Sequence, residues 1–558
     1  MVRKWHITKQ MTGESDGVTA EEIVRAILED RGITTPKERE AFLHPSDPIS
    51  LTASDVGVNK SDLTKAIARI QKAIKDKESV VVYADYDADG ITAGAIMWET
   101  LWRLGARVMP YIPHRVDEGY GLSEKGIDAV RVEYDPSLII TVDHGITAHA
   151  QVEYAKKLGI EVIITDHHVK PEKLPRSTIV HTTLLSGSGV SWFVATQMMQ
   201  SQGKKGDWDQ LSELTALAAI GTIADLLPLT GVNRSIVKFG LEMLRKTKRT
   251  GLNALIAEAG IEKKSIDTFS VSHMLAPRLN AMGRLEHAID ALRLLCTKDE
   301  MKAKLLAQKL GLTNKERQQL TIDTVTHAKD LVPKTLKKLL FIAHETYNPG
   351  VIGLVAGRLV EEYWRPAIVL SVGAEFAKAS ARSIPGFNIV EAIRTCSDLL
   401  VDVGGHPMAA GFTVETKNLD KLKKRLEVLA EKELDDEKLK RTLHIDVEIP
   451  LSRATETLWL EMQSLRPFGF GNYEPVFATR GVKATDVRII GATKKHLKLK
   501  ILPQEGGQTL DAVAFNMAGE YGKLASDTPV DVAYAIDMNE WNGKRTLQLK
   551  VKDILISE

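Results

Sequence analysis

The residues best suited to chemistry lie where apolar runs end. VVVY (80–83) leads into Asp85-Tyr-Asp87-Ala-Asp89-Gly90, SLIITV (137–142) into Asp143-His144-Gly145, and EVIIT (161–165) into Asp166-His167-His168. A further carboxylate, Asp225, closes the apolar stretch LTALAAIGTIA. An acid left at such a place is costly unless it is paired or bound to a cation. Carboxylates with one or two imidazoles and no thiolate favour Mn²⁺ or Mg²⁺ over structural zinc. Their excess suits two ions, an arrangement in which water attacks a phosphoryl group while the ions stabilise the attacking and leaving oxygens. Any one of these aspartates could be a helix N-cap at a strand-to-helix turn. That role explains neither four such sites nor the adjacent histidines. DYDADG also opens like a calcium loop, but the twelfth position from Asp85, which should be a bidentate Glu, is Ile96. The residues alone point to a metal-dependent phosphoesterase.

Positioning these groups needs a sheet. Continuous Val/Ile runs separated by helical sequence predict a parallel sheet covered on both faces. Ligands of such sheets bind beyond the carboxyl ends of the strands, so acids some eighty residues apart can meet at one edge. The 558 residues suggest three or four domains at roughly 150 residues each. The chain divides into an N-terminal helical extension (1–60), an α/β phosphoesterase domain (61–235), a helical connector (236–335), a second α/β domain (336–440) and a C-terminal β-barrel (441–558). The barrel follows from alternating runs such as HLKLKIL (496–502), VDVAYAI (530–536) and RTLQLKVKDILI (545–556). Residues 301–340 hold nine Lys/Arg against three Asp/Glu, which fits either a solvated connector face or one turned to nucleic acid.

Composition narrows the class. Lys plus Arg is 74 and Asp plus Glu 73, a net charge of +1, so any nucleic-acid surface must be local. At 44% hydrophobic and 26% charged the chain is globular rather than disordered. Two cysteines, Cys296 and Cys396, cannot build a disulfide framework, and a reducing cytoplasm is expected. MVRKWHITKQMTGESDG lacks the apolar run of a signal peptide. The longest stretch without Asp, Glu, Lys or Arg, Ser177 to Gly203, is rich in Ser, Thr, Gln and Gly. No membrane association is expected.

At these motifs the sequence resembles the DHH phosphoesterase superfamily, named for the pattern at Asp166-His167-His168. The likeness runs from about residue 60 to 480. It includes PHRVDEGYGLS (113–123), GTIADLLPL (221–229), RLNAMGRL (278–285), PGVIGLVAGRL (349–359), SARSIPGF (380–387), GGHPMAAGF (404–412) and LRPFGFGNYEPVF (465–477). Several motifs in the family's order imply an α/β architecture of DHH domain, long helical connector, DHHA1 domain and C-terminal OB-like barrel.

The resemblance implies roles by position. Asp87 and Asp89 would each hold one of two Mn²⁺ or Mg²⁺ ions, Asp143 would bridge them, and His167 and Asp225 would complete the second ion's ligands. His168 would lie beside the scissile phosphate as a catalytic residue, with Asp143 and Arg382. Asp85 and Asp166 are expected to orient the loops, with direct metal contact as the alternative. His144 stands where many relatives have Asn or Cys, so it either adds a ligand or packs behind the others. Ser380, Arg382 and Ser383 offer hydroxyls and a guanidinium suited to phosphate oxygens, and Gly404, Gly405 and His406 allow close backbone approach. By resemblance they hold a terminal 5′ phosphate, while Arg115, Arg278, Asn280 and Arg284 contact the backbone. In the barrel, Phe468, Phe470, Tyr473, Phe515 and Trp541 are candidates for base stacking or for core, with Lys494, Lys495, Lys498 and Arg545 for phosphates.

The activity implied is that of the superfamily's single-strand-specific DNA exonucleases: hydrolysis from 5′ to 3′, releasing mononucleotides in DNA recombination and repair. Single-stranded DNA is the expected substrate, with single-strand-binding protein and a RecQ-type helicase as partners and a monomeric chain. Two other readings are a phosphodiesterase for short oligoribonucleotides or cyclic dinucleotides, against which the barrel argues, and a non-catalytic DNA- or replisome-binding relative, against which the intact acids argue.

Overall fold

The computed structural model describes residues 3–11, 18–115, 117–119, 121–201, 208–504, 507–541 and 543–556, with side chains omitted at 208–210 and 541. The chain forms two compact units. One comprises Leu51–Asp225 and Phe239–Arg441, the other Met1–Ser50, Leu226–Lys238 and Thr442–Glu558.

In the larger unit the first sheet is fully parallel, in the order Arg107–Tyr111, Ser79–Ala84, Leu138–Val142, Glu161–Asp166, Thr178–His181. Val80–Ala84 and Leu138–Val142 in its centre are buried throughout, as the unbroken Val/Ile runs require. After Ser79–Ala84 the chain pairs on one side with Arg107–Tyr111, then returns on the other as Leu138–Val142. This makes a topological switch point at the carboxyl edge. Ala84 lies opposite Val142, and Val142 opposite Thr165. That register brings Asp85, Asp143 and Asp166 level on neighbouring strand ends. Helices Ala88–Arg103, Gly187–Ser201 and Trp208–Ala224 pack against one another. From Leu211 onward the last is apolar around most of its circumference and buried accordingly.

A 31-residue helix, Glu300–Asp330, capped by Asp299 on the Lys302 N–H, leads to the second sheet. Lys309, Lys329, Lys337 and Lys338 pair with Asp290, Glu362, Glu427 and Glu431. Much of the basic 301–340 stretch is therefore an ion-paired, solvated face. The second sheet is mixed, in the order Leu400–His406, Ala409–Glu415, Phe376–Arg382, Ala367–Val372, Leu340–His344, with only the last pair parallel.

The smaller unit is built on a seven-stranded sheet, the last five strands of which close on themselves. Its order is Lys4–Gln10, Thr442–Glu448, Phe477–Ile490, His496–Pro503, Leu510–Ala514, Lys544–Ile556, Thr528–Trp541, and pairing of Phe477–Ile490 with Thr528–Trp541 completes the barrel. The interior is filled by Leu497, Leu499, Ile501, Val530, Val532 and Tyr534 among others.

The N-terminal region departs from a purely helical extension. Lys4–Gln10 is a strand running parallel to Thr442–Glu448, and the Trp5 indole donates to Asp553. Helices Ala20–Asp30 and Pro36–Leu43 do form, each opened by a capping box (Thr19/Glu22 and Thr35/Glu38). Ile23, Val24, Ile27 and Leu28 join Leu458 and Met462 in the same core as the barrel. Arg234 is buried in this unit, donating to the carbonyls of Phe42, Ser464, Leu465 and Arg466, with its guanidinium over the Phe42 ring. The first fifty residues and 226–238 thus group with the barrel.

Candidate metal centre and phosphate trough

At the switch point the loop after Ser79–Ala84 turns into the helix that starts at Ala88. Asp87 caps this helix, its Oδ1 accepting the Asp89 and Gly90 N–H groups. Asp89 points across to the N-terminus of Gly187–Ser201, where it accepts the Gly187 N–H (2.6 Å) and the Ser188 N–H (2.9 Å). The aim suits a carboxylate, since helix N-termini attract anions. Asp143 sits at φ +67°, a left-handed conformation uncommon for a non-glycine residue and frequent at functional sites. Its Oδ1 is 3.1 Å from His167 Nε2, which lies 3.6 Å from Asp225 Oδ2.

Three overlapping groups of potential ligands result: Asp85, Asp87 and Asp143; Asp89, His167 and Asp225; and Asp143, His167 and His168. Within each, one ligand atom per residue lies within 4.8 Å of the others. Asp143 belongs to two of the groups, where a bridging residue should stand.

The electrostatics of this cluster ask for a cation. Asp85, Asp89 and Asp143 are 3%, 1% and 3% exposed. Burial, followed by the neighbouring carboxylates Asp89, Asp87, Asp85 and Asp225, pushes Asp143 well above the usual carboxylate range. Burial and Asp87 do the same to Asp85, and burial with Asp89 and Asp87 carries Asp225 up to about 8. Burial also lowers His167, which favours the neutral imidazole that a metal needs. Asp85 Oδ1 is buried without a hydrogen-bond partner among the described residues, and the buried Asp143 Oδ1 has only the His167 ring nitrogen beside it. Buried acids in mutual repulsion, with oxygens left over, fit divalent ions with hard ligands.

The other expected metal-site residues separate clearly. Both Asp166 oxygens are occupied, accepting from the N–H groups of Ile146, His167 and His168 and from the His168 ring. Asp166 therefore orients the loop. Asp85, expected to do the same, instead faces Asp87 and Asp143 as a potential ligand. His144 Nε2 is 3.0 Å from the Tyr83 carbonyl, and burial lowers the ring to about 4, so it is a neutral donor packed behind the ligands. For His168, burial alone would lower the ring, but the Asp166 hydrogen bond and charge prevail and raise it to about 9.

Beside the metal loop is a group of arginines that form no ion pair among the described residues. Helix Ala276–Leu285 touches the loop directly: Asn280 Oδ1 accepts the Ala88 N–H (2.7 Å), and Gly283 lies against the Tyr86 carbonyl. Arg284 follows and donates to the Gly350 carbonyl. Burial, then Arg115, Arg317 and Arg382, lowers it to about 10. Arg115 stacks over Tyr86, and Arg382 reaches Ser380 Oγ at 3.3 Å. Among the described residues none of these four arginines has a carboxylate within ion-pair distance.

Strand register extends the surface. Ser380, Gly411 and Gly404 align across three strands, as do Arg382, Ala409 and His406. The two glycines leave an open trough beside the serine hydroxyl. Gly405, at φ +139°, lies against the Ala409 carbonyl in a conformation only glycine takes readily.

Three expected substrate contacts turn elsewhere. Arg278 is engaged by Glu258 (2.5 Å) and the Met274 carbonyl. Asn280 holds the metal loop, as described. Ser383 is buried and bonds the Phe387 carbonyl, fixing the turn after the strand. Conversely, Arg317 was not singled out from the sequence. It lies in the long helix, and its only sequence signal is a guanidinium within the basic 301–340 stretch.

On the barrel unit Phe470, Tyr473 and Phe515 are exposed. Phe468 is partly buried against the core, and the Trp541 side chain lies outside the described residues. Of the basic candidates, Lys494 and Lys495 are exposed, Lys498 lies near Asp511, and Arg545 sits near Glu540 and over the Trp459 ring.

A parallel sheet with clustered acids at its switch point, joined by a long helix to a mixed sheet with a glycine-lined trough beside Ser380, defines a DHH-type phosphoesterase. Family models agree segment by segment: the DHH family N-terminal domain matches residues 79–222, the DHHA1 domain 336–432 and the RecJ OB domain 445–553. The chain belongs to the RecJ family. It is 38% identical over 550 residues to the single-stranded-DNA-specific exonuclease RecJ of Bacillus subtilis, covering 96% of this chain and 68% of that protein. To the Dickeya dadantii protein of the same name it is 31% identical, covering 95% and 96%. The crystal structure of Thermus thermophilus RecJ with Mn²⁺ superposes with a TM-score of 0.81 at 29% identity, over 100% of this chain and 80% of that one. The Mg²⁺ complex of the same protein gives 0.77 at 28%, over 100% and 79%.

Proposed function

We propose that the chain is a single-stranded-DNA-specific exonuclease that degrades from the 5′ end and releases mononucleotides. The observation carrying this reading is the direct junction of the two charge clusters through Asn280 and Gly283. Buried carboxylates that call for cations lie next to arginines that call for phosphate.

Asp87, Asp89, Asp143, His167 and Asp225 would hold two Mn²⁺ or Mg²⁺ ions, with Asp85 as a further ligand. Such ions, when bound, activate water and stabilise charge on the attacking and leaving oxygens. The chain's own residues do the rest. Arg115, Arg284, Arg317 and Arg382 neutralise and fix successive phosphates, so that the scissile phosphodiester enters in register. Ser380 and the Gly404–Gly411 trough seat the terminal 5′ phosphate, with His406 at its end. His168, held by Asp166, contributes positive charge as the phosphorane forms. Exposed Phe470, Tyr473 and Phe515 offer ring faces on which bases of the incoming strand can stack.

In the cell this activity would serve recombination and repair in the cytoplasm, the chain acting as a monomer. A RecQ-type helicase would supply the single strand, with single-strand-binding protein on it. The test is product analysis on 5′-phosphorylated single-stranded DNA with Mn²⁺, comparing 5′ and 3′ labels with duplex DNA and RNA. Labelled mononucleotides appearing first from the 5′ label, on the single strand alone, support the reading. Cleavage confined to di- to tetranucleotides, or tight binding without cleavage, defeats it.

A further inference from the structure

At the opposite end of helix Ala88–Arg103 from the metal loop lies a second, unassigned cavity. The fourteen-residue step from Asp89 to Arg103, at about 1.5 Å per residue, puts it roughly 20 Å from the acids. It encloses about 530 Å³, within the range of sites for nucleotide-sized ligands. Among the described residues its lining holds five cations (Arg103, Lys246, Lys248, Arg249 and Lys298) and two carboxylates (Glu99 and Glu213), a surplus of three positive charges.

Both carboxylates are committed elsewhere. Glu99 binds Arg103 and Arg249, while Glu213 accepts from the Thr247 hydroxyl and the Lys248 N–H. Among the described residues, Lys246, Lys248 and Lys298 therefore have no acidic side chain within ion-pair distance. Lys298 instead sits over the Trp102 ring, which is half exposed and stacked on Trp98.

The backbone adds to the same charge. Helix Thr250–Glu258 begins at the cavity, and its N-cap Arg249 supplies no side-chain acceptor, since its guanidinium donates to the Leu295 carbonyl and Glu99. The dipole at that helix start attracts an anion. Lys246, Lys248 and Lys298 are exposed at the rim of the cavity, where a polyanion would meet all three ammonium groups.

We infer that this cavity binds a nucleotide-sized phosphate ester, with its phosphates against Lys246, Lys248, Lys298 and the start of helix Thr250–Glu258. The +3 lining favours a diphosphate over a monophosphate. The inference does not depend on the exonuclease reading.

The test is calorimetric titration of the full chain in EDTA with thymidine 5′-monophosphate, thymidine 5′-diphosphate and inorganic phosphate. An Arg284→Ala/Arg382→Ala background silences the trough beside the metal centre. The nucleotides should still bind there, the diphosphate more tightly, and adding Lys246→Glu and Lys298→Glu should weaken them about tenfold or more. Should the charge reversals unfold the chain, Lys246→Gln with Lys298→Gln should weaken binding in the same direction. No binding in the arginine background, unchanged binding in the lysine variants, or inorganic phosphate binding as tightly as the nucleotides would each overturn the inference.

Discussion

Gly187 opens its helix directly against Asp143, so close that a β-carbon there would overlap the Asp143 carboxylate. The same helix end donates its Gly187 and Ser188 N–H groups to Asp89. Gly221 repeats the relationship with Asp89 and Ser188. The metal cluster is thus shaped by missing side chains as much as by present ones. Gly187→Ala should displace Asp143 and lower kcat about 100-fold, the scale of a 1 Å misplacement. It should also cost about 1–3 kcal/mol of stability from overpacking. Steady-state kinetics beside a urea melt separates the two effects, and a variant with unchanged kcat would show that the cluster tolerates the shift.

Asn280 makes a second prediction. Because its carboxamide oxygen accepts the Ala88 N–H, Asn280→Ala should lower kcat roughly tenfold, a loss of about 1.4 kcal/mol at the transition state. KM for DNA should change little. A rise in KM with kcat preserved would restore the direct DNA contact expected from the sequence.

The two arginines of the RLNAMGRL segment should behave differently. Arg278→Ala breaks the ion pair with Glu258, which is largely shielded from solvent. It should destabilise the fold by about 2 kcal/mol, between the exposed and buried limits, with single-strand affinity retained. Arg284→Ala and Arg317→Ala should leave stability unchanged or raise it, since each sits among like charges. They should weaken binding and reduce the salt dependence by about 0.7 per lost phosphate contact. Binding isotherms at several salt concentrations, beside melts, check both sets.

These contrasts show what could be read from the sequence and what could not. Strand ends rich in Asp and His were legible because apolar runs fix strand positions, and parallel register then aligns whatever follows them. The inward turn of Arg278, Asn280 and Ser383 was not, since residue type sets chemistry and not direction. The way Asp85 faces Asp87 and Asp143 was not legible for the same reason. Lys4–Gln10 was missed because its partner strand begins more than four hundred residues later, and no local pattern reports so distant a pairing. The roles of Gly187 and Gly221 exist only as contacts.

On the barrel unit, Tyr473→Ala and Phe515→Ala remove exposed ring faces while leaving the core cluster intact. Each should weaken binding of long single strands by about 1–3 kcal/mol per stacked base. Hydrolysis of short oligonucleotides should hold. Fluorescence anisotropy with strands of increasing length tests this, and length-independent effects would exclude a stacking role.

The central claim is that the acids at the sheet's switch point carry the ions on which hydrolysis depends. The most direct measurement is the rate of mononucleotide release from 5′-labelled single-stranded DNA across a Mn²⁺ titration, for the native chain and Asp143→Ala. The account predicts strictly metal-dependent release by the native chain and a loss on the order of 10³-fold or more in the variant, which retains DNA binding. Release in EDTA, or native-like rates from Asp143→Ala, would contradict it.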